Sequence, residues 1–200
     1  MNPSLAKILI TGGAGGIGGA IASELLSRGA AVLLVDRDAD ALARAVERFA
    51  RYGDRVGTCA ADLTNAADRK RICDTAAEWR GGVNVLVNNA GINHFRMFED
   101  QPPEQVDLAV AINLLAPLHL CRGMLAHLRA QPEACILNTG SVFGSIGYPG
   151  YAVYSATKFA VRGFTEALRR ELADTKVKVH YVAPRATGTG INTSAVERMN

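Results

Sequence analysis

Short apolar runs of five to seven residues, rich in Val, Ile and Leu, alternate with longer segments in which apolar side chains return at helical spacing. Strands covered on both faces read as continuous apolar runs, whereas amphipathic helices read as a 3.6-residue period. The pattern predicts strands over residues 7–11, 31–36, 56–61, 83–88, 134–139 and 177–183, with helices over 16–28, 39–51, 66–79, 103–129 and 151–174. A helix-length segment bridges each successive pair of strands, so the expected fold class is α/β, a doubly wound sheet of six parallel, adjacent strands. Gly29 reads as a helix stop, Pro102-Pro103 as a helix start and Asn65 as an N-cap. The stretch 106–128 is apolar on more than one stripe, through Val106, Leu108, Val110, Ile112, Leu114, Leu115, Leu118 and Leu125. Such a helix needs two partners: the sheet, and then either a second subunit or a loop of the same chain.

Composition narrows the function classes. Two hundred residues, 48% hydrophobic and 20% charged, suffice for one core, and no repeat or linker divides residues 1–200, so a single domain is expected. The net charge of +3 is small, and Arg44, Arg48 and Arg51 fall at the spacing of a solvated helix face, which leaves no nucleic-acid surface. Cys59, Cys73, Cys121 and Cys135 have no paired or metal-ligand spacing and read as small core residues, with no metal expected. The run Lys7-Ile8-Leu9-Ile10 is too short for a signal peptide, and no apolar run reads as long enough to span a bilayer. A soluble, cytoplasmic protein without a membrane partner is the expectation.

The first strand runs into Thr11-Gly12-Gly13-Ala14-Gly15-Gly16-Ile17-Gly18. A glycine turn opening a helix aims free backbone N–H groups at whatever sits over the helix N-terminus, and pyrophosphate suits them. Gly12 would make the tight turn, Gly16 would clear space for the phosphates and Gly18 would let helix and sheet approach. Gly12, Gly15, Gly16, Ile17 and Gly18 are accordingly expected to hold a dinucleotide. Asp36, eighteen residues beyond Gly18 at the end of the second strand, can accept both ribose hydroxyls and would repel a 2′-phosphate. That favours NAD over NADP, with Arg37 beside it as the residue that could bind a phosphate instead.

A phenol and an ammonium four residues apart, Tyr154 and Lys158, follow Ser141 by thirteen residues. With the glycine turn, Asn88-Asn89-Ala90-Gly91 and Tyr154-Ser155-Ala156-Thr157-Lys158 in this order, the chain resembles the short-chain dehydrogenase/reductase family along essentially its whole length. The resemblance implies an NAD-dependent oxidoreductase that moves a hydride between the cofactor and a secondary alcohol or ketone. It implies a catalytic tetrad of Asn113, Ser141, Tyr154 and Lys158, an adenine wall at Asp62 and Leu63, and cofactor contacts at Asn89, Ala90, Gly91, Tyr154, Lys158, Pro184 and Thr189. In that tetrad Tyr154 is the acid/base, Lys158 tunes the phenol and anchors the ribose, and Ser141 orients the substrate oxygen. The relay proposed for the family ends on a water held by Asn113. Pro117, four residues on and lacking an N–H, would keep that carbonyl free in a kinked helix.

Two departures stand out. The family's Pro-Gly after the sixth strand is here Pro184-Arg185, with Thr189 still in its expected place. The sequence also stops at Asn200, where family members add a substrate-covering helix and a further strand, 196–199 reading as the start of that helix. The expectation is therefore a shortened domain, either a fragment or one completed by another subunit, with low thermal stability. Asn93, His94, Phe95, Phe143, Tyr148 and Tyr151 would wall a rather apolar, aromatic pocket, His94 as a wall residue. A homo-oligomer built through the helices starting near Pro103 and Tyr151 is expected. The rival readings are a nucleotide-sensing protein without catalysis and an oligomerisation partner of the same fold.

Overall fold

The computed structural model describes residues 1–184. Arg185, Thr189 and the segment 196–199, each given a place above, lie outside the described residues. The chain forms β1 (Lys7–Thr11), α1 (Gly16–Ser27), β2 (Ala31–Asp36), α2 (Ala39–Arg48), β3 (Val56–Ala60), α3 (Ala66–Glu78), β4 (Val85–Asn88), α4 (Pro103–Val110), α5 (Ala116–Ala130), β5 (Ala134–Thr139), α6 (Ala152–Glu171) and β6 (Val177–Val182). Three strands keep their expected limits. β4 starts two residues late because Val83 N–H is taken by the carbonyl of Ala76 at 2.8 Å, before the ladder begins.

All six strands are parallel in one sheet of order β3-β2-β1-β4-β5-β6. The expected adjacency of successive strands fails once: β4 pairs with the free edge of β1 rather than with β3. The length of a crossover helix does not encode the direction in which the chain crosses. That reversal creates a crevice between the ends of β1 and β4, where doubly wound sheets bind ligands.

Side-chain parity along β1 builds the two cores. Leu9 faces one way with Leu33, Ile72, Leu86, Leu120, Met124 and Ile136, under α3, α5 and the end of α6. Ile8 and Ile10 face the other way with Ala22, Leu26, Val32, Leu34, Leu42 and Phe49, under α1 and α2. Cys59 and Cys121 are buried and Cys73 and Cys135 half-buried, all four as free thiols, in keeping with small core residues. Asn65 caps α3 as expected, its Oδ1 accepting from Ala67 N–H at 2.8 Å and Asp68 N–H at 3.3 Å. Gly29 ends α1 in the left-handed region at φ +95°.

The helix expected over 103–129 is continuous in space but not in hydrogen bonding. Between α4 and α5, Ala111–Leu115 forms a π-turn, closed by Ala116 N–H on the carbonyl of Ala111. Pro117 sits buried in the first turn of α5 and cannot donate to Asn113, so the irregularity takes the form of a widened turn. The rod Pro103–Ala130 is 28 residues long with a mean hydropathy of 1.6 over its most apolar window. This corrects the reading that no apolar run reaches bilayer length. Ala116, Leu120, Cys121, Met124 and Leu128 on this rod are buried, so much of the apolarity is used inside the protein.

Candidate functional site

The glycine turn closes the end of β1. Gly12 adopts φ +64°, and a Cβ there would lie 3.1 Å from Ala90 Cα, so the turn is pressed against the loop after β4. A Cβ on Gly18 would collide with the carbonyl of Gly12 and come 3.0 Å from Asn89 Nδ2. Gly18 therefore brings α1 onto the turn itself. Gly15 is the N-cap of α1 and offers no side-chain partner to the first N–H groups of the helix, which begins at Gly16 and Ile17. At the end of β2, Asp36 is half-buried, and its carboxylate meets Ala14 N–H and Asp38 N–H at 3.4 Å each. Contacts of that length leave its lone pairs available for hydroxyls. Arg37 is exposed beside it.

Thr11, whose hydroxyl sequence reasoning passed over, ties the two sides of the crevice. Its buried Oγ1 accepts from Asn89 N–H and Ala90 N–H at 3.0 Å each, and Asn89 Nδ2 donates to the Thr11 carbonyl at 3.0 Å. A polar residue ending an otherwise apolar strand was the available signal. Asp62 and Leu63 sit apart from this cluster, after the edge strand β3. The Asp62 carboxylate closes its own turn by accepting from Thr64 N–H and Oγ1 at 2.8 Å, and Leu63 packs toward the α3 core. Pro184 is half-buried just beyond β6.

The four tetrad residues come from the π-turn, the end of β5 and α6. The buried side chain of Asn113 is fully committed: Oδ1 accepts from Ile92 N–H at 2.8 Å, and Nδ2 donates to the Ile92 carbonyl at 2.9 Å and to Thr157 Oγ1 at 3.2 Å. Thr157 in turn donates to the carbonyl of Tyr154 at 2.7 Å. The π-turn, the loop after β4 and the Tyr154 turn of α6 are thus locked together. A Cβ on Gly91 would stand 3.3 Å from Asn113 Oδ1 and 3.6 Å from Lys158 Nζ, which places that loop directly over the lysine.

Lys158 is 4% exposed, with Nζ donating to the Thr139 carbonyl at 2.9 Å and lying 5.6 Å from the centroid of the Tyr154 ring. Burial lowers its pKa to about 8, so it remains mostly an ammonium at neutral pH. Tyr154 moves the other way: burial raises its pKa, and a hydrogen bond from Ser141 opposes the rise. In the chain alone, burial thus outweighs the effect expected of Lys158 on the phenol. Ser141 Oγ also accepts from Phe143 N–H at 3.2 Å, which leaves its own proton to donate.

Beneath the site runs a buried ladder that sequence reasoning missed. Asn88 Nδ2 donates to Asn138 Oδ1 at 2.8 Å, and Asn138 Nδ2 to Thr165 Oγ1 at 2.9 Å, joining β4, β5 and α6. Aromatic residues expected around the pocket pack on one another. Phe143 stacks on Tyr151 at 4.5 Å and meets Tyr154 edge-on at 6.3 Å, and Phe95 lies 5.1 Å from Tyr151. His94 is half-buried, and its Nε2 has no hydrogen-bond partner among the described residues.

The sequence profile of the short chain dehydrogenases matches residues 6–200. The chain belongs to that family. It is an oxidoreductase by class. Among its relatives, D-beta-hydroxybutyrate dehydrogenase of Cupriavidus necator is 37% identical over 177 residues, 88% of this chain and 68% of the relative. The 3beta-hydroxysteroid dehydrogenase 2 of Eggerthella lenta is 32% identical over 194 residues, 95% of this chain and 75% of the relative. A short chain dehydrogenase/reductase from Burkholderia phymatum, solved in complex with NAD, superimposes with a TM-score of 0.92 at 30% identity, covering 99% of this chain and 71% of that one. The family membership joins what the geometry had already gathered: a glycine turn, a strand-end carboxylate and a buried phenol–ammonium pair at one sheet crevice.

Proposed function

We propose that this dehydrogenase uses NAD(H) to interconvert a neutral, apolar secondary alcohol and its ketone. The observation that carries the reading is the buried Lys158 ammonium 5.6 Å from the Tyr154 ring, beside Ser141 and over the crevice floored by the glycine turn. The dinucleotide fits the residues present. Gly12 and Gly18 let the turn and α1 close tightly on each other, the N-terminus of α1 lacks a side-chain cap, and Asp36 suits ribose hydroxyls better than a 2′-phosphate. The Burkholderia phymatum relative carries NAD on the same fold.

When bound, NAD(H) would supply the hydride acceptor for the carbinol carbon, or the hydride donor for the ketone carbon in the opposite direction. Tyr154 takes the hydroxyl proton as the C–O bond becomes C=O, and gives it back in reduction. Ser141 donates a hydrogen bond to the substrate oxygen. Lys158 places a positive charge next to the phenol, favouring its ionised form against the cost of burial. The main-chain carbonyl of Asn113, which Pro117 cannot engage, is the acceptor left to hold a water, since the Asn113 side chain is already spent on Ile92 and Thr157.

For the substrate, the wall of Phe95, Phe143, Tyr148 and Tyr151 favours a ring-bearing alcohol over a small hydroxy acid. Among the relatives, the hydroxysteroid dehydrogenase bears a name closer to that chemistry than the hydroxybutyrate enzyme. The four free thiols support a reducing, cytoplasmic setting. The deciding experiment pairs turnover on a panel of cyclic and carboxylated alcohols with fluorescence titration of NADH and NADPH. Tyr154→Phe is expected to lose turnover by more than a hundredfold while binding NADH with nearly unchanged affinity. Turnover retained in that variant would remove Tyr154 from its role.

A further inference from the structure

Tyr181 lies on β6, beyond the segment that holds the tetrad. Its phenol oxygen accepts from Ser141 N–H at 3.3 Å and donates to the Ser141 carbonyl at 3.2 Å. One side chain of a neighbouring strand thus engages both peptide groups of the residue assigned above to the substrate oxygen. The Ser141 carbonyl also takes Gly144 N–H at 2.9 Å, so the phenol joins a turn that is already closed on itself.

The ring occupies a notch that exists only because positions 140 and 144 are glycines. A Cβ on either one would run into the Tyr181 ring or its oxygen, and a Cβ on Gly144 would also come 3.0 Å from the carbonyl of Lys158. The Ser141 turn is therefore pinched between the Tyr181 phenol on one side and the Lys158 turn of α6 on the other. Both bonds from the phenol are long, so the ring's fit in the notch and the two bonds hold the turn together.

We propose that Tyr181 is a positioning residue for Ser141, fixing the backbone from which the serine hydroxyl is aimed at Tyr154 and the substrate oxygen. This rests on the role given to Ser141 under Proposed function. With the Ser141 peptide groups anchored and Phe143 N–H donating to Oγ, the hydroxyl is left to donate in a direction away from Phe143. Releasing the anchor spreads that direction. The hydrogen bond that restrains the upward pKa shift of Tyr154 then weakens.

The test is Tyr181→Phe, which keeps the ring in its notch and removes the oxygen, made both in the parent chain and in a Ser141→Ala background. In the parent, kcat for alcohol oxidation should fall roughly tenfold, about the worth of one net hydrogen bond. NADH affinity should be unchanged. In the Ser141→Ala background the same change should cost almost nothing further, because there is no hydroxyl left to aim. An equal loss in both backgrounds would make the phenol merely structural and overturn the proposal. If Ser141→Ala is severely impaired while Tyr181→Phe is not, this proposal alone fails; if Ser141→Ala is itself unimpaired, the role of Ser141 fails with it. Should Tyr181→Phe not fold, Gly140→Ala serves instead, since its methyl drives the ring out of the notch. It should show the same loss, and unchanged kcat would overturn the inference.

Discussion

Lys158 carries its charge inside the protein against the Thr139 carbonyl, with no carboxylate partner among the described residues. A group whose folded pKa is about 8 against an ordinary 10.5 burdens the folded state wherever it must be charged, by about 3 kcal/mol for a shift of this size. The sign follows from proton counting. Between pH 8 and 10.5 the unfolded chain holds the proton that the folded chain has released, so stability rises with pH across that window and the full burden lies below it. Lys158→Met should therefore gain melting temperature over the parent most clearly at pH 7, less a part lost because the Thr139 carbonyl goes unpaired. The gap should close as the pH climbs from 8 to 10.5. Thermal melts of the two proteins at stepped pH check this, and a constant gap would refute it. Burial acts on Tyr154 in the same sense, by disfavouring its charged form.

The π-turn at Ala111–Leu115 shows how an element, rather than a residue, sets the site. It directs Asn113 Nδ2 to Thr157 and Oδ1 to Ile92, and so ties the loop after β4 to the Tyr154 turn. Pro117→Ala restores an N–H able to bond the Asn113 carbonyl and should draw the turn toward regular α-helix. Alcohol oxidation is expected to slow several-fold with a shifted pH–rate profile and intact NADH binding; an unmoved profile would separate the turn from proton handling. Much of the surrounding architecture was legible in the sequence. The ends of β1, β2 and β5 fell where Thr11, Asp36 and Thr139 stop apolar runs, and Tyr154 and Lys158, one helical turn apart, lie together on α6. The π-turn was not legible, because slipping one hydrogen bond leaves the apolar period of the rod almost unchanged, although Pro117 hinted at it. Nor was the Asn88–Asn138–Thr165 ladder or the grip of Tyr181 on Ser141, since each joins segments dozens of residues apart that only the sheet order brings side by side.

At the scale of the whole molecule, the reversal of strand order between β1 and β4 gathers the chemistry at one end of the sheet, and some of the exposed apolar side chains lie on the helices that pack against it. The rod Pro103–Ala130 is 44% buried over its most apolar window, and Leu115 beside the π-turn and Phe159 on α6 are 43% and 45% exposed. Apolar side chains that large on neighbouring helices are a recurrent mark of a subunit interface. A second copy of this chain, packed through the helices that begin near Pro103 and Tyr151, would cover both. Fully burying a phenylalanine contributes about 1.5–3 kcal/mol, so one such side chain per subunit weighs heavily in a symmetric dimer. The chain should therefore run in size-exclusion chromatography with light scattering at twice its 21.2 kDa or more. Phe159→Glu, which places like charges across the contact, should bring it to monomer mass with NADH binding retained. A monomeric parent chain would show that these helix faces serve another purpose.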